Sequence, residues 1–306
     1  MIRFVVRRIF FGVISIIGAT FIVFLMSRLA GDPRNLYLTV GVTSPEVWEQ
    51  WGKDFGLDKP IPVQYFIWLS KAARLDFGKS IQTGHPAIDT IKEKIPATLQ
   101  LAGAAWLFAL LIGIPLGVLS ATRRGTFLDG GGRTFALFGQ ALPPFFLGLV
   151  LILVFAVELG WLPTSQRGDW THFILPAITL GWLPAAGILR LVRSSMLETL
   201  DAEYIKLARA KGVPEWVVIW KHALKNAAIP PLTVAGLVLA GFLTGTVVTE
   251  TVFAWPGLGR LVVTAINNND FPVMTGCVLV FTVLYVVVVF LIDISYAFLD
   301  PRIRVT

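Results

Sequence analysis

Apolar residues run along this chain in long uninterrupted blocks. Six stretches contain no Asp, Glu, Lys or Arg: Ile9–Ser27, Thr98–Thr122, Thr134–Val157, Phe173–Leu189, Ala227–Thr249 and Phe271–Ile292. A helix rising about 1.5 Å per residue needs roughly 20 apolar residues to cross a hydrocarbon core about 30 Å thick. The fourth stretch is short, but it extends toward Val192 if Arg190 snorkels to the interface. Strands of a membrane barrel would alternate apolar and polar residues over short segments, and that alternation is absent. The pattern predicts an all-α polytopic membrane protein with six transmembrane helices.

Composition narrows the reading further. The chain is 55% hydrophobic and 15% charged, with a mean hydropathy of +0.73, which excludes a disordered protein. The single cysteine, Cys277, excludes a disulfide scaffold. Cations set the expected orientation. Arg3, Arg7 and Arg8 precede the first span, and Arg123, Arg124 and Arg133 follow the second. Arg190, Arg193, Lys206, Arg209, Lys211, Lys221 and Lys225 follow the fourth, and Arg302 and Arg304 close the chain. The short loops of the other side carry only Arg167 and Arg260. Both termini are therefore expected in the cytoplasm, and the net charge of +7 reflects this asymmetry rather than nucleic-acid binding.

The first span resembles a signal peptide, but its apolar run is long and Arg28 occupies the place of a small cleavage residue, so a retained anchor is expected. Residues 1–29 then form a cytoplasmic stub and first span, 30–96 an extracytoplasmic segment, 97–298 a core of five spans and 299–306 a cytoplasmic tail. Within the external segment, Pro62–Phe77 places Val63, Phe66, Ile67, Leu69 and Ala73 as an amphipathic helix. A structural cap on the helices and a docking surface or entrance lid are both open readings for this segment.

Catalytic motifs are scarce. His85, His172 and His222 are scattered, and no metal-ligand or nucleophile spacing occurs. Gly78-Lys79-Ser80 ends like a phosphate-binding loop, but Ala73 stands where the earlier glycine is required. The spans hold ionisable groups only at their edges, near Arg190, Glu250 and Asp293, whereas ion-coupled carriers need such groups within the membrane. Any uphill transport would draw its energy from another chain.

The loop over 193–226 is the most informative segment. Asp201 is expected to cap a short helix, with Glu203 in its first turn, Arg209 and Lys211 in its last, and Gly212 as the left-handed residue ending it. Pro214 would then open a second helix, with Trp216, Trp220 and Leu224 on one face, lying at the membrane surface before Ile229-Pro230-Pro231. The first helix reads either as a knob for a partner's groove or as a basic interfacial helix on anionic lipid. Span five carries Ala235-Gly236, Ala240-Gly241 and Thr244-Gly245-Thr246, with a GxxxG spacing from Gly241 to Gly245. Close helix packing is the first expectation there, and pore lining the second. Thr249, Glu250 and Phe253 at its end form either an outer gate or, for Glu250, a solvated interfacial charge. Pro143-Pro144 and Pro184 would interrupt hydrogen bonding in spans three and four, as flexing points or as fixed kinks.

Many short motifs occur in order: Gly31-Asp-Pro33, Gly56-Leu-Asp-Lys-Pro60, Asp76-Phe-Gly-Lys-Ser80, Pro96-Ala-Thr-Leu99, Gly113-Ile-Pro-Leu-Gly117 and Leu175-Pro-Ala-Ile178. Arg193-Ser-Ser-Met-Leu-Glu198, Ala208-Arg-Ala-Lys-Gly212, His222-Ala-Leu-Lys-Asn226, Thr249-Glu-Thr-Val-Phe253, Trp255-Pro-Gly-Leu-Gly-Arg260 and Asp300-Pro-Arg-Ile-Arg304 follow. On these the chain resembles, over nearly its whole length, a permease subunit of the dipeptide/oligopeptide class of ABC importers. The resemblance implies the importer-type permease fold in the inner membrane of a bacterium. It also implies a non-catalytic role, with a second homologous permease, two ATP-binding subunits that hold the ATP and Mg, and an extracytoplasmic substrate-binding protein as partners. Peptide is the implied substrate; relatives of this class also handle glutathione, nickel complexes and oligosaccharides. The loop 193–226 is implied to contain a coupling helix gripped by an ATPase subunit through Tyr204, Leu207, Ala208, Arg209, Ala210, Lys211 and Gly212. Importers in general carry an EAA pattern here. This chain keeps Ala208 and Gly212 but has Lys206 at the glutamate position and Leu207 at the first alanine, as the peptide class does. Beside the resemblance, their place in span five makes Thr244, Thr249, Glu250 and Phe253 the candidate path and outer gate. A self-sufficient channel or secondary carrier is the alternative from another class.

Overall fold

The computed structural model describes residues 2–29, 45–54 and 56–299, with side chains given for all of these except 2–4, 45, 47, 50, 51, 54, 244 and 295–299. The motifs Gly31-Asp-Pro33 and Asp300–Arg304, with Arg302, lie outside the described residues, as does nearly all of the expected tail. The described elements are helical: among these residues the only extended pairing is an isolated bridge between Lys79 and Pro86. Among the described residues four helices are long and apolar enough to cross a membrane, or up to six if each of two bent helix pairs is one span. The chain divides into two compact units, Met1–Thr98 with Pro256–Thr306, and Leu99–Trp255.

The first unit contains α1 (Ile2–Leu29), α2 (Pro45–Asp54), α3 (Ile61–Ala72), the opening turns of α4 (Ala87–Thr122), α12 (Leu258–Asn267) and α13 (Phe271–Leu299). Helix α3 is shorter than the expected 62–77, because Leu75 takes a left-handed φ of 63°. Its face also differs from the expectation. Val63 and Phe66 are exposed, whereas Tyr65 and Ala72 are buried. Tyr65 is turned inward because its hydroxyl donates to Ile17 O at 2.9 Å and meets Thr20 Oγ1 at 2.9 Å, satisfying a buried polar group.

The Gly78-Lys79-Ser80 turn has a packing role. Ser80 is buried; its Oγ donates to the Asp270 carboxylate and accepts from Thr83 N, while Asp270 Oδ1 also accepts from Val273 N at the start of α13. Ser80→Ala leaves that buried carboxylate one donor short, an expected loss of about 1–3 kcal/mol. The check is the thermal midpoint in detergent, with the exposed Ile81→Ala as the control that should not move it. At the opposite end of α13, Asp293 accepts from Arg8 of α1 at 2.6 Å. Arg8, read from sequence as an orientation charge, is thus partly neutralised.

The second unit holds the rest of α4, then α5 (Phe127–Ala141), α6 (Pro144–Leu151) with a π-helical continuation over Ile152–Glu158, and α7 (Thr171–Leu200). After these come α8 (Glu203–Ala210), α9 (Glu215–Val217), a π-helical segment Val218–Ala223, α10 (Leu224–Ala227) and α11 (Ile229–Val252). The stretch Thr134–Val157 is not one straight span. It breaks between α5 and α6 at a bend of 108°. A residue before proline is driven out of the helical region, and two consecutive prolines do this twice: Leu142 and Pro143 are both extended, at ψ 120° and 137°. Pro184, by contrast, sits inside an unbroken α7. That helix also runs past the expected end near Val192, to Leu200.

Close packing in this unit uses glycines other than those expected. A Cβ added at Gly117 would stand 2.7 Å from Val192 Cβ and 2.8 Å from Leu189 O, and one at Gly113 would stand 2.8 Å from Ala185 O. Gly113 and Gly117 therefore carry the small-residue contact of α4 with α7. Gly241 has nothing within 4 Å of such a Cβ, and Gly245 only Leu180 Cδ1 at 4.0 Å. A close approach at Gly241 and Gly245 is thus not made within this chain. Helix α11 instead buries its other face, with Ala235, Ala240, Leu243 and Thr246, and Ala235 O accepts from Trp106 Nε1 at 2.8 Å.

Candidate functional site

The 193–226 segment folds as a short protruding helix on a buried base. Asp201 does not cap α8. It ends α7 in a helical conformation, and Ala202, extended at ψ 148°, is the residue preceding α8. With α7 running to Leu200, the aspartate is consumed by the outgoing helix before the next can use it. The C-terminal end forms as expected. Gly212 has φ +73°, its N–H donates to Arg209 O, and Val213 N donates to Ala208 O. These are the nested 5→2 and 6→1 bonds of a glycine-terminated helix, which satisfy carbonyls otherwise left open.

Ile205, with the half-buried Ala208 beside it, seats this helix. Ile205 is fully buried in a cluster with Val118, Ala121, Val192, Met196, Val218 and Ala223. The named site residues lie around it: Tyr204 and Leu207 are exposed, Ala208 is half-buried, and Arg209, Ala210, Lys211 and Gly212 are exposed. The hydroxyl of Tyr204 accepts from Asn226 Nδ2 at 2.9 Å. Arg209 reaches across the Gly212 turn to Glu215, with Nη2 at 2.7 Å from Oε1 and Nε at 3.2 Å from Oε2. Its guanidinium is held further above its ordinary pKa by that carboxylate. Glu215, unremarked in sequence, makes the turn a closed loop. Pro214 precedes α9 rather than opening it, and the second helix is partly π-helical, with Trp216 and Trp220 exposed.

Behind the protruding helix lies a polar cluster that the sequence reading missed. Asp129, 1% exposed, accepts from Arg193 Nε at 2.8 Å and Nη2 at 3.1 Å, from Ser120 Oγ at 2.7 Å and from Gly125 N at 3.1 Å. Arg193, in sequence a cation after span four and the head of the Arg193–Glu198 motif, is a half-buried residue inside α7. The available signal was one aspartate among Arg123, Arg124 and Arg133, at the first turn of a helix where an anion is favoured.

The second set of expected residues lies at the end of α11. Thr249, Glu250 and Phe253 are each buried to within 1% exposure, so Glu250 is no solvated charge. The side chain of Thr244 lies outside the described residues. Phe253 packs on α6, where a Cβ at Gly148 would meet its Cε2 at 3.2 Å, and Phe253 O accepts from Gln166 N at 2.8 Å.

The model of the binding-protein-dependent transport system inner membrane component family matches residues 113–305, and its N-terminal companion matches 1–102. The chain belongs to this family. The permease is 37% identical to a di/tripeptide transport system permease protein of Pseudomonas aeruginosa, over 99% of both chains. It is 40% identical to a probable D,D-dipeptide transport system permease protein of Escherichia coli, over 95% of this chain and 94% of that one. It is also 37% identical to the Escherichia coli glutathione transport system permease protein, over 99% of both. Among solved structures, the MetNI methionine ABC transporter in an inward-facing conformation aligns with a TM-score of 0.57 and 22% identity. That alignment covers 69% of this chain and 96% of the other, and the likeness is one of fold. The permease is accordingly a multi-pass inner-membrane subunit of an ABC transport system.

Proposed function

We propose that this permease forms, with a second homologous permease, the path by which short peptides enter the cell, and that two ATP-binding subunits drive it by gripping α8. The observation that carries the reading is the protruding helix itself. It ends on a left-handed glycine, rests on one buried isoleucine, and leaves Tyr204, Leu207, Lys211 and Gly212 facing outward. Such an element is small enough to enter a groove and stiff enough to transmit a push.

The orientation that fits puts α8 and both termini in the cytoplasm, where ATP and Mg are held by the partner subunits. A substrate-binding protein delivers peptide to the opposite face. The permease contributes no bond-making chemistry; it supplies two states, and substrate or nucleotide shifts their balance only through unequal contacts with them. Thr244, Thr249, Glu250 and Phe253 are assigned to the outer gate of the path. Peptides of two or three residues are the favoured substrates because two of the near relatives are named for them. Glutathione, itself a tripeptide, is the second reading, favoured by a relative 37% identical.

The test is uptake by the reconstituted complex. Vesicles are offered a mixture of dipeptides, tripeptides and glutathione, and the trapped contents are read by mass spectrometry. Accumulation is expected only with MgATP and the binding protein together. Solute passage through this chain alone, without ATP, would overturn the proposal in favour of a channel or carrier.

A further inference from the structure

The cluster of Ser120, Asp129 and Arg193 joins three helices. Ser120 stands three residues from the last residue of α4 counted inclusively, Asp129 is in the first turn of α5, and Arg193 is two turns from the end of α7. Asp129 takes both prongs of the guanidinium fork and is closed off by Ser120 and Gly125, while Arg193 Nε also reaches Ser120 Oγ at 3.1 Å. Arg133 stands farther off, at 3.8 Å from Asp129 Oδ1, and is mostly exposed. A buried ion pair is poor value for stability, since well-packed apolar side chains do as well or better. What a bidentate pair supplies is geometry, one fixed register of donor against acceptor.

That register matters at this place. Helix α5 meets α7 through small, smooth surfaces: a Cβ at Gly139 would fall on Ala186 Cβ, and Ala136 is buried beside Leu189. Leu137, Phe138 and Phe127 on the other side of α5 are exposed. The polar cluster at its start and the Phe135–Trp182 ring contact at 4.4 Å add directional contacts to that surface. Val118, Ala121, Val192 and Met196, near Ser120 and Arg193 in sequence, belong to the same buried cluster as Ile205 of α8. Beyond its far end, α5 turns through Leu142-Pro143 into α6, whose Gly148 abuts Phe253.

We infer that Asp129 and Arg193, closed by Ser120, are positioning residues that make α5 follow α8, so that displacement of the protruding helix is delivered to α6 and Phe253. The inference rests on the reading of α8 as the ATPase contact and adds the link that the reading lacks. The cluster touches neither substrate nor nucleotide. Its loss should separate ATP hydrolysis from transport and leave docking intact, because the docking residues all lie on α8 and the turn after it.

The experiment measures hydrolysis and uptake in the same vesicles, with the assembled complex and the peptide found above. For Asp129→Asn, hydrolysis is expected within about twofold of the parent, and peptide moved per ATP lower by about tenfold or more, within the usual span of a coupling effect. An unchanged ratio in an assembled complex overturns the inference. Ser120→Ala keeps the ion pair and should give a smaller fall. If Asp129→Asn does not assemble, this variant decides by the same ratio. A second readout needs no substrate. Spin labels at Glu203→Cys and Leu137→Cys, both exposed, are placed in a Cys277→Ala background. In the parent, MgATP should leave their separation unchanged. In Asp129→Asn it should shift by a distance on the order of the 1–2 Å helix displacements of switching proteins or more. Equal separations with and without nucleotide in Asp129→Asn count against the inference. The α8 reading fails separately: it falls if a bulky residue at Gly212 leaves coupled hydrolysis intact, whatever Asp129→Asn does.

Discussion

Replacing Gly117 with leucine should markedly destabilise the folded permease. Even the first carbon of the new side chain would stand 2.7 Å from Val192 Cβ and 2.8 Å from the carbonyl oxygen of Leu189. The carbonyl belongs to the α7 backbone and cannot rotate away, so the two helices must separate. Separation opens the contact at Gly113 as well, where Ala185 O and Ile188 lie at 2.8 and 2.9 Å from the position of an added Cβ. It also disturbs Ile188 and Val192, both fully buried in the cluster that seats Ile205. Overpacking of an ordinary core costs about 1–3 kcal/mol, and a clash against backbone belongs at or above the top of that range. Against a net stability of about 5–15 kcal/mol this is a large fraction. At roughly 2–4 °C per kcal/mol, the thermal midpoint of the purified chain in detergent should fall by about 10 °C, with lower yield. Gly245→Leu is the paired control. Its surroundings are open apart from Leu180, so its midpoint should stay within about 2 °C of the parent, as for an ordinary surface change. Equal losses from the two variants would mean that the close helix contact has been assigned to the wrong glycine pair.

That pair also shows how far the sequence could be read. Charge-free runs of bilayer length locate the helices because hydrocarbon leaves a backbone few alternatives; α13 begins at the expected Phe271, and α1 covers the whole first stretch. Spacing does not say which side of a helix meets another helix. Gly113–Gly117 and Gly241–Gly245 have the same GxxxG spacing, yet only the first leaves no room for a Cβ. In lipid both faces of a helix are apolar, so the contrast that orients a soluble helix is missing. Local backbone chemistry was legible where one residue type decides it. Gly212 took the left-handed conformation that a helix end requires, and the paired prolines broke the third stretch. Competition between adjoining elements was not legible, and Asp201 went to α7 rather than α8. The Asp129–Arg193 pair was hidden for a related reason. Its members are 64 residues apart, and each alone reads as an ordinary loop charge.

Gly212→Trp should abolish substrate-stimulated ATP hydrolysis and peptide uptake while leaving the permease folded. The fold survives because nothing lies within 4 Å of a Cβ at this position, so the indole extends into open space. What the chain loses is conformational ease. A left-handed residue with a Cβ costs about 1–2 kcal/mol, which at roughly 2–4 °C per kcal/mol lowers the midpoint by only a few degrees. Gly212→Asn bears a smaller share of that cost, because asparagine visits the left-handed region readily, and its side chain is far smaller. If the defect in Gly212→Trp were one of folding, Gly212→Asn would show a fainter version of it in the melting curve. If the defect lies at a partner's groove, the asparagine variant should keep most of its coupled hydrolysis while the tryptophan variant falls to background. Retention of the ATP-binding subunits during purification should track the same order. The groove reading is lost if the assembled complex carrying tryptophan at 212 hydrolyses ATP in response to substrate as the parent does. The protruding helix would then be an interfacial element of the membrane surface, and the push that opens the path would have to enter elsewhere.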